Sequence, residues 1–248
     1  MIQLIRDFKD MKSNGKPDVQ IRRNGTALLL DYPIIKSWYE LRHKPYLKHD
    51  TFLGIKRAID ILAALVLLPV ALPLLVLCAV AIRLDSPGAI YFFQERTGKG
   101  GKRFRVYKLR TMVKNAAELR EKYMHLNELK APDFKITNDP RVTRVGRLLR
   151  KASLDELPQI FNVLKGNMTL VGPRPSSYGA HTYDLWHTAR FELKPGITGL
   201  AQVCGRSELL LDEKLRYDIA YLRNMSLWLD IRILLRTVAV VFKGQGVK

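Results

Sequence analysis

Residues 153–159, Ser-Leu-Asp-Glu-Leu-Pro-Gln, set two adjacent carboxylates, Asp155 and Glu156, in a chain where acids are the minority: 23 Asp and Glu against 42 Lys and Arg. Arg150 and Lys151 precede the pair, Lys165 follows it, and a stiff Gly172-Pro173-Arg174-Pro175 segment lies shortly beyond. An ionised Asp in such surroundings can do three things. It can ligate Mg²⁺, which prefers oxygen ligands and substrate phosphates. It can act as a base. It can also attack phosphorus and form an acyl phosphate. The neighbouring cations suit a diphosphate, whose charge must be neutralised during phosphoryl transfer. Prolines on both sides of Arg174 stiffen its base, so little entropy is lost in aiming its guanidinium fork at an anion.

The same residues admit a purely structural reading. Ser153-x-x-Glu156 fits a capping box, in which Glu156 would reach back to the N–H of the cap. That reading leaves Asp155 unused. With Ser153 as cap, Pro158 falls beyond the free N–H positions; with Asp155 as cap, it lies where no intrahelical donor is needed. In either register Asp155 is placed near a helix N-terminus, where the dipole keeps a carboxylate ionised and attracts phosphate. A lone Gly-Pro-Arg-Pro is equally a loop bearing a surface arginine.

The elements that must hold these groups begin with an apolar run. Ile61 to Ile82 carries no charge over 22 residues, about 33 Å as a helix, which suffices for a hydrocarbon core of about 30 Å. Polar, mixed sequence precedes it, so it is not a secretory signal. Pro69 and Pro73 sit mid-run on one helix face and favour a kink. Basic residues flank both ends, Lys56-Arg57 before and Arg83, Arg96, Lys99, Lys102, Arg103 and Arg105 after. Positive flanks mark the cytoplasmic side, so the segment is expected to enter and leave by one face; the alternative is an ordinary tilted, kinked span. The net charge of +19 predicts anionic partners without specifying fold. Only Cys78 and Cys204 occur, Cys78 within the apolar run, which argues against a structural disulfide and for a reducing compartment. No spacing supports a zinc site.

Other segments read as follows. Residues 1–50 form an N-terminal extension of unassigned role, with turn signals at Asn14–Pro17 and Asn24-Gly25 around a strand-like run, Ala27–Leu30. Ala89–Phe93 and Phe104–Leu109 flank a basic glycine-rich loop and predict a β-hairpin. Residues 113–130 carry apolar positions at helical spacing and predict a solvated amphipathic helix. Asn138–Arg141 is a break, and Val142–Leu149 is a short basic amphipathic stretch. Leu200–Val203 predicts a short strand, and residues 208–223 a helix. Leu227 to Phe242 is an apolar helix with Arg232 and Arg236 four apart, the pattern of a helix lying on an anionic membrane surface or of a core helix with snorkelling arginines.

These motifs, in this order, resemble those of the bacterial sugar transferase family, the monotopic polyprenyl-phosphate phosphoglycosyl transferases that initiate surface glycan assembly. The matching pieces are Lys56-Arg57-x-x-Asp60, Pro87-Gly88, Phe93-Gln94-x-Arg96-x-Gly98 and Phe104-x-Val106-Tyr107-Lys108-Leu109-Arg110-Thr111-Met112. There follow Asp139-Pro140-Arg141-Val142-Thr143, Gly146-x-x-x-Arg150, Ser153 to Gln159, Asn162 to Gly166 with Met168, Val171 to Pro175, and Pro195-Gly196-Ile197-Thr198-Gly199-x-Ala201-Gln202. The match covers roughly residues 52–248, so the domain is expected over 51–248. Four positions depart from the common pattern: Leu72 stands where Ser often precedes the proline, Asn167 replaces a frequent Asp, and Cys204 and Ser207 in Cys204-Gly205-Arg206-Ser207 stand for the two Asn of Asn-Gly-Arg-Asn.

The resemblance implies an α+β, mainly α fold, membrane-associated and monotopic, with one re-entrant helix broken at Pro73 (Pro69 contributing), amphipathic interfacial helices and a small β-hairpin or sheet. It implies transfer of a sugar 1-phosphate from a UDP-sugar to polyprenyl (undecaprenyl) phosphate with release of UMP, at the cytoplasmic face of the bacterial inner membrane. By the same resemblance Asp155 is the nucleophile and Glu156 its partner, both placed to hold Mg²⁺. Lys108, Arg110, Arg150, Arg174 and Arg206 are expected near phosphates or nucleotide. UDP-sugar, polyprenyl phosphate and membrane lipid are the expected partners, a homo-oligomer is allowed, and nucleic acid is not expected. The rival reading is a basic membrane-tethered scaffold for anionic lipid or nucleic acid; no helix-turn-helix, zinc finger or stacking platform is evident to support the latter.

Overall fold

A computed structural model of the chain describes residues 49–128, 136–183, 185–204 and 211–242. The readings placed on 1–48, with the run Ala27–Leu30, and the position of Arg206 lie outside the described residues. Helix α1 (His49–Asp85) is the longest element among the described residues. It leads into a hairpin, β1 (Tyr91–Thr97) and β2 (Arg103–Leu109), followed by one helical turn, α2 (Leu119–Lys122), and by α3 (Arg144–Lys151). Helix α4 (Gln159–Leu164), β3 (Thr169–Val171), β4 (Gly196–Thr198), α5 (Leu200–Cys204), α6 (Leu211–Arg223) and α7 (Leu227–Phe242) complete the described chain. Among the described residues the fold is mainly helical, with two two-stranded sheets: β1 and β2 antiparallel, with Tyr91 opposite Leu109, and β3 and β4 parallel.

Helix α1 begins twelve residues before the apolar run and ends three residues after it, with Pro69 and Pro73 inside it. The two prolines each remove a backbone donor, which favours a kink within a helix that is otherwise continuous. By length and composition α1 is apolar enough to cross a membrane. One stripe, Phe52, Lys56, Asp60, Ala64, Ala71, Leu75, Cys78 and Ile82, is buried, whereas Val66 (75% exposed), Val70 (71%) and Leu77 (67%) face outward. Near its C-terminal end, Leu75, Cys78 and Ile82 join Leu109 of β2 and Leu149 of α3 in a core that Leu154, Leu157 and Phe161 close.

The N-terminal end of α1 is fastened by polar groups. Lys56 Nζ meets Asp230 Oδ2 of α7 at 2.5 Å, and the Tyr221 hydroxyl of α6 lies 2.6 Å from Asp230 Oδ1. Asp60 accepts from Thr169 Oγ1 (2.5 Å) and from the Leu170 amide (3.1 Å) of β3. Arg57 donates to the carbonyls of Val163 and Leu164 at the end of α4. Removing one partner of a buried ion pair strands the other charge, at about 3–5 kcal/mol. Lys56→Met keeps the stem and removes the ammonium, so equilibrium unfolding should show a loss of that size; a loss below about 1 kcal/mol would show that Asp230 does not depend on Lys56.

The hairpin forms as expected. The extended helix over 113–130 does not: the described part holds turns, α2 and a 3₁₀ turn at Met124–Leu126. Met124 and Leu126 stay exposed, so the apolar stripe has no surface to bury against, and a short helix without tertiary packing is marginal. The strand expected at Leu200–Val203 is instead α5, and the strand lies just upstream, at Gly196–Thr198. Its pairing with β3 rests on close backbone approach. A Cβ on Gly196 would fall 2.2 Å from the Gly172 nitrogen, so only glycine fits. Helix α7 matches its expected bounds. It turns Asp230 and Ile233 inward and leaves Trp228, Ile231, Leu235 and Val238, one apolar face, exposed.

Candidate functional site

Asp155 and Glu156 lie on a 3₁₀ turn, Leu154–Glu156, between α3 and α4. Ser153 precedes it in the left-handed region (φ 56°, ψ 20°), an uncommon conformation for a residue with a Cβ and one that costs about 1–3 kcal/mol. The capping-box reading fails here. The Ser153 side chain makes no capping hydrogen bond, and its amide donates to the Arg150 carbonyl. Glu156 turns instead toward two cations. Its Oε1 accepts from Lys108 Nζ at 2.8 Å and from Arg174 at 2.9 Å. Pro158 sits at the N-cap of α4, where its missing N–H leaves no helical bond unmade.

Three elements converge to make this pair of contacts. Lys108 comes from β2, which is held against α4 by Asn162, a fully buried side chain. Asn162 Oδ1 accepts from the Tyr107 amide (3.0 Å) and its Nδ2 donates to the Arg105 carbonyl (2.7 Å). Both edge groups of β2 are thereby satisfied, as burial requires. Arg174 comes from the loop after β3. Its carbonyl accepts from Arg190, whose guanidinium pairs with the buried Asp218 of α6 at 2.8 Å. The Gly172 amide donates to the Thr198 carbonyl, the Gly196 amide donates to that of Pro173, and beyond Arg174 the Ser176 and Thr97 amides donate to each other's carbonyls, so the loop is pinned on both sides of Arg174.

The electrostatics separate the two carboxyls. Burial raises the Glu156 pKa, but Arg174 and Lys108 outweigh it and hold the group well below the usual carboxylate range. Burial also pushes Asp155 up; Lys108 opposes this, the like charge of Glu156 reinforces it, and Arg150 and Arg174 oppose it. For Asp155 the balance is a raised value. Arg150, whose Nε donates to Thr111 Oγ1 at 2.9 Å, is lowered by burial while Asp155 acts to raise it. Asp218 is pushed up by burial to about 6 in spite of Arg190 and Arg174.

Of the expected phosphate ligands, Lys108, Arg150 and Arg174 surround the pair. Arg110 does not join them: its two terminal nitrogens donate to the carbonyls of Pro87 (2.5 Å) and Ser86 (2.8 Å), which fixes the turn after α1. Arg96 takes a place that composition did not announce. It bonds Gln94 Oε1 (2.6 Å) and the Ser177 hydroxyl, and lines the same recess as Lys108, Glu156, Gln159 and Arg174. Burial, then the Arg174 charge, lowers its pKa to about 10. Four cations thus face two carboxylates. Asn162, Arg190 and Asp218 were likewise not singled out. Their signal was weak, because polar residues in apolar company reveal burial but not the partner they bury against.

Such a cluster, positive on balance around one strongly acidic and one less acidic carboxyl, has the chemistry that suits phosphorylated anions. A family model described as bacterial sugar transferase matches residues 51–244, and the chain belongs to that family. A UDP-glucose:undecaprenyl-phosphate glucose-1-phosphate transferase of Caulobacter vibrioides is 44% identical over 196 residues, 74% of this chain and 68% of its own length. A UDP-N-acetylgalactosamine-undecaprenyl-phosphate N-acetylgalactosaminephosphotransferase of Aeromonas hydrophila is 41% identical over 201 residues, 78% of this chain and 45% of its own. The exopolysaccharide production protein ExoY of Rhizobium meliloti is 36% identical over 196 residues, 77% of this chain and 87% of its own. The chain spans less than half the length of the Aeromonas relative, and the same holds for several others.

Proposed function

We propose that this chain transfers a hexose 1-phosphate from a UDP-sugar to polyprenyl phosphate, the first membrane step of surface polysaccharide synthesis. The observation that carries the proposal is the convergence of Lys108, Arg150, Arg174 and Arg96 on Asp155 and Glu156. The relatives' names supply the substrate class.

In this reading an Asp155 oxygen attacks the β-phosphorus of the donor. A P–O bond to that oxygen forms, the P–O bond to the α-phosphate breaks, and UMP leaves with the electron pair. The sugar 1-phosphate is then held on Asp155 as an acyl phosphate. An oxygen of polyprenyl phosphate attacks the same phosphorus, the Asp155–phosphorus bond breaks, and the carboxylate is regenerated. One anhydride replaces another, so no further energy source is required. Glu156, kept ionised by Lys108 and Arg174, is the fixed anion that aligns both cations. Arg174, Lys108, Arg150 and Arg96 receive the negative oxygens of the diphosphate.

Mg²⁺ fits this donor set. Among the described residues no group of three or more His, Cys, Asp or Glu forms a cage, and Mg²⁺ characteristically takes one or two carboxylates together with substrate phosphates. Asp155 and Glu156 are the residues that would hold it; Lys108 and Arg174 both bond Glu156 Oε1. The ion would supply further neutralisation of the diphosphate oxygens.

The placement of α1 supports a re-entrant, monotopic attachment at the cytoplasmic face of the inner membrane. Arg57 near its start meets α4, and Ile82 near its end packs in the core closed by Leu154, Leu157 and Phe161. These positions would be about 37 Å apart on a straight helix, yet both ends are served by one short stretch, 154–164. The apolar middle lies exposed between them. Both flanks are basic, which favours one side, and the outward apolar face of α7 suits an interfacial position.

The test is UMP release from a panel of UDP-sugars by detergent-solubilised protein with Mg²⁺ and polyprenyl phosphate. Release with one or more donors, dependent on the lipid for turnover, is expected; salt-sensitive nucleic-acid binding without UMP release would favour the scaffold reading instead. The pH profile tests the roles further. Asp155 must be ionised to attack, so the rate falls as pH drops through its raised pKa. Lys108 lowers that pKa and Glu156 raises it. Lys108→Met should therefore move the acid limb to higher pH, and Glu156→Gln should move it to lower pH. Limbs unmoved in both variants would remove Asp155 from the titration.

A further inference from the structure

A second recess, of about 280 Å³, opens beside the first turns of α1 and shares no lining residue with the recess around Glu156. Its walls include Leu53, Arg57, Asp60, Lys99, Thr169 and Lys194. Arg57 and Lys194 converge on the turn at Gly166, where an added Cβ would lie 3.5 Å from the Arg57 guanidinium and 3.6 Å from Lys194 Nζ. Lys99 reaches the same cavity from the hairpin loop. None of these three cations has a carboxylate partner in an ion pair among the described residues. Asp60, the acid in the wall, is committed to Thr169 Oγ1 and the Leu170 amide, and Lys56 is committed to Asp230. Burial, then the charges of Arg57 and Lys99, lowers the Lys194 pKa, while Asp60 acts to raise it. A fold that holds three like charges around one cavity bears a repulsion that a bound anion relieves.

We propose that this cavity binds the phosphate monoester of a membrane lipid. The cavity is smaller than the pockets of about 300–1,000 Å³ that hold drug-sized ligands, so it suits a headgroup rather than a whole nucleotide sugar. Three cations match a dianionic monoester better than a singly charged diester. Its position specifies the source: it lies at the turns of α1 just before the apolar stretch, where Ile59 and Leu62 are already exposed. If α1 is seated in the membrane as read above, on which this inference rests, the cavity lies at headgroup level. The acceptor proposed above is itself a lipid of this chemistry, and a site beside the reacting recess would hold it or a like headgroup at the surface.

The test follows acylation of Lys194 and Lys99 by an amine-reactive ester, read by mass spectrometry, on the full chain in nanodiscs. One set contains phosphatidylcholine alone, a second adds phosphatidic acid, and a third adds inorganic phosphate at matched concentration. Several-fold protection of Lys194 by phosphatidic acid, absent with inorganic phosphate and weakened in Lys99→Ser, is expected; Lys99 is exposed, so its replacement leaves the fold intact. Equal protection by inorganic phosphate would overturn the lipid assignment, and no protection in either set would overturn the site. Flotation with phosphatidylcholine vesicles separates the two readings. A chain that floats but is never protected refutes the cavity proposal alone. A chain that does not float refutes the membrane reading, and inorganic phosphate in detergent then decides the cavity by the same protection.

Discussion

Asp155→Asn is expected to abolish both UMP release and the phosphosugar adduct on the protein, with turnover down by about 10⁴- to 10⁶-fold, the usual scale for removing an attacking group. Asparagine keeps the shape and removes the anion. Because burial raises the Asp155 pKa, its charge is a cost to the folded state at neutral pH. The sign is definite: a carboxyl whose folded pKa lies above its unfolded value destabilises at pH above both and does so less as pH falls between them. The neutral variant should therefore unfold no earlier than the parent at pH 7. Lost activity with retained stability identifies a chemical role. Undiminished turnover would eliminate Asp155 as nucleophile. Turnover without a trappable adduct in the parent would favour direct attack by the lipid phosphate, with Asp155 as a metal ligand only.

Arg174→Ala is expected to lower kcat of adduct formation by about 10²- to 10³-fold, the range for losing one preorganised donor to a developing charge. The side chain is half-exposed, and Glu156 keeps Lys108 as a partner after its loss, so stability should change little. Arg174→Lys restores charge but not the planar fork, and partial recovery would show that geometry matters beyond charge. Aim comes from further back, through Arg190 on the Arg174 carbonyl and Asp218 behind Arg190. A loss under about fivefold in Arg174→Ala would place the guanidinium outside the reacting complex.

How far the site was legible differs from residue to residue. Asp155 and Glu156 were legible as neighbours of unusual charge in a basic chain. Their conformation was not, because Ser-x-x-Glu also describes a cap, and the choice depends on what else Glu156 can reach. Lys108 lies 48 positions away and Arg174 lies 18 away; only the docking of β2 through Asn162 and the closure of β3 on β4 bring both to one oxygen. Arg110 carries the same charge as Lys108 two positions earlier, and alternation alone would place both on one face, but β2 ends at Leu109 and Arg110 turns to the carbonyls of Ser86 and Pro87. Strand β4 was missed because Gly196 at its start and Gly199 just after it weaken any local strand signal, while the close backbone contact with Gly172 that selects them is non-local.

By itself the amino-acid sequence determined what is local and chemical: an uncharged 22-residue run with basic flanks, a hairpin, an apolar C-terminal helix, and an aspartate–glutamate pair in ordered company with arginines. Periodicity and residue type carry such information because backbone geometry and side-chain chemistry act over a few positions. Tertiary structure alone decided which cations meet which carboxylate, that α7 turns Asp230 inward to Lys56 and its apolar face out, and that residues 113–128 stay largely unhelical. Those outcomes depend on which surfaces remain to be buried once distant segments have packed, and on the desolvation that packing imposes, quantities that no single stretch of chain contains.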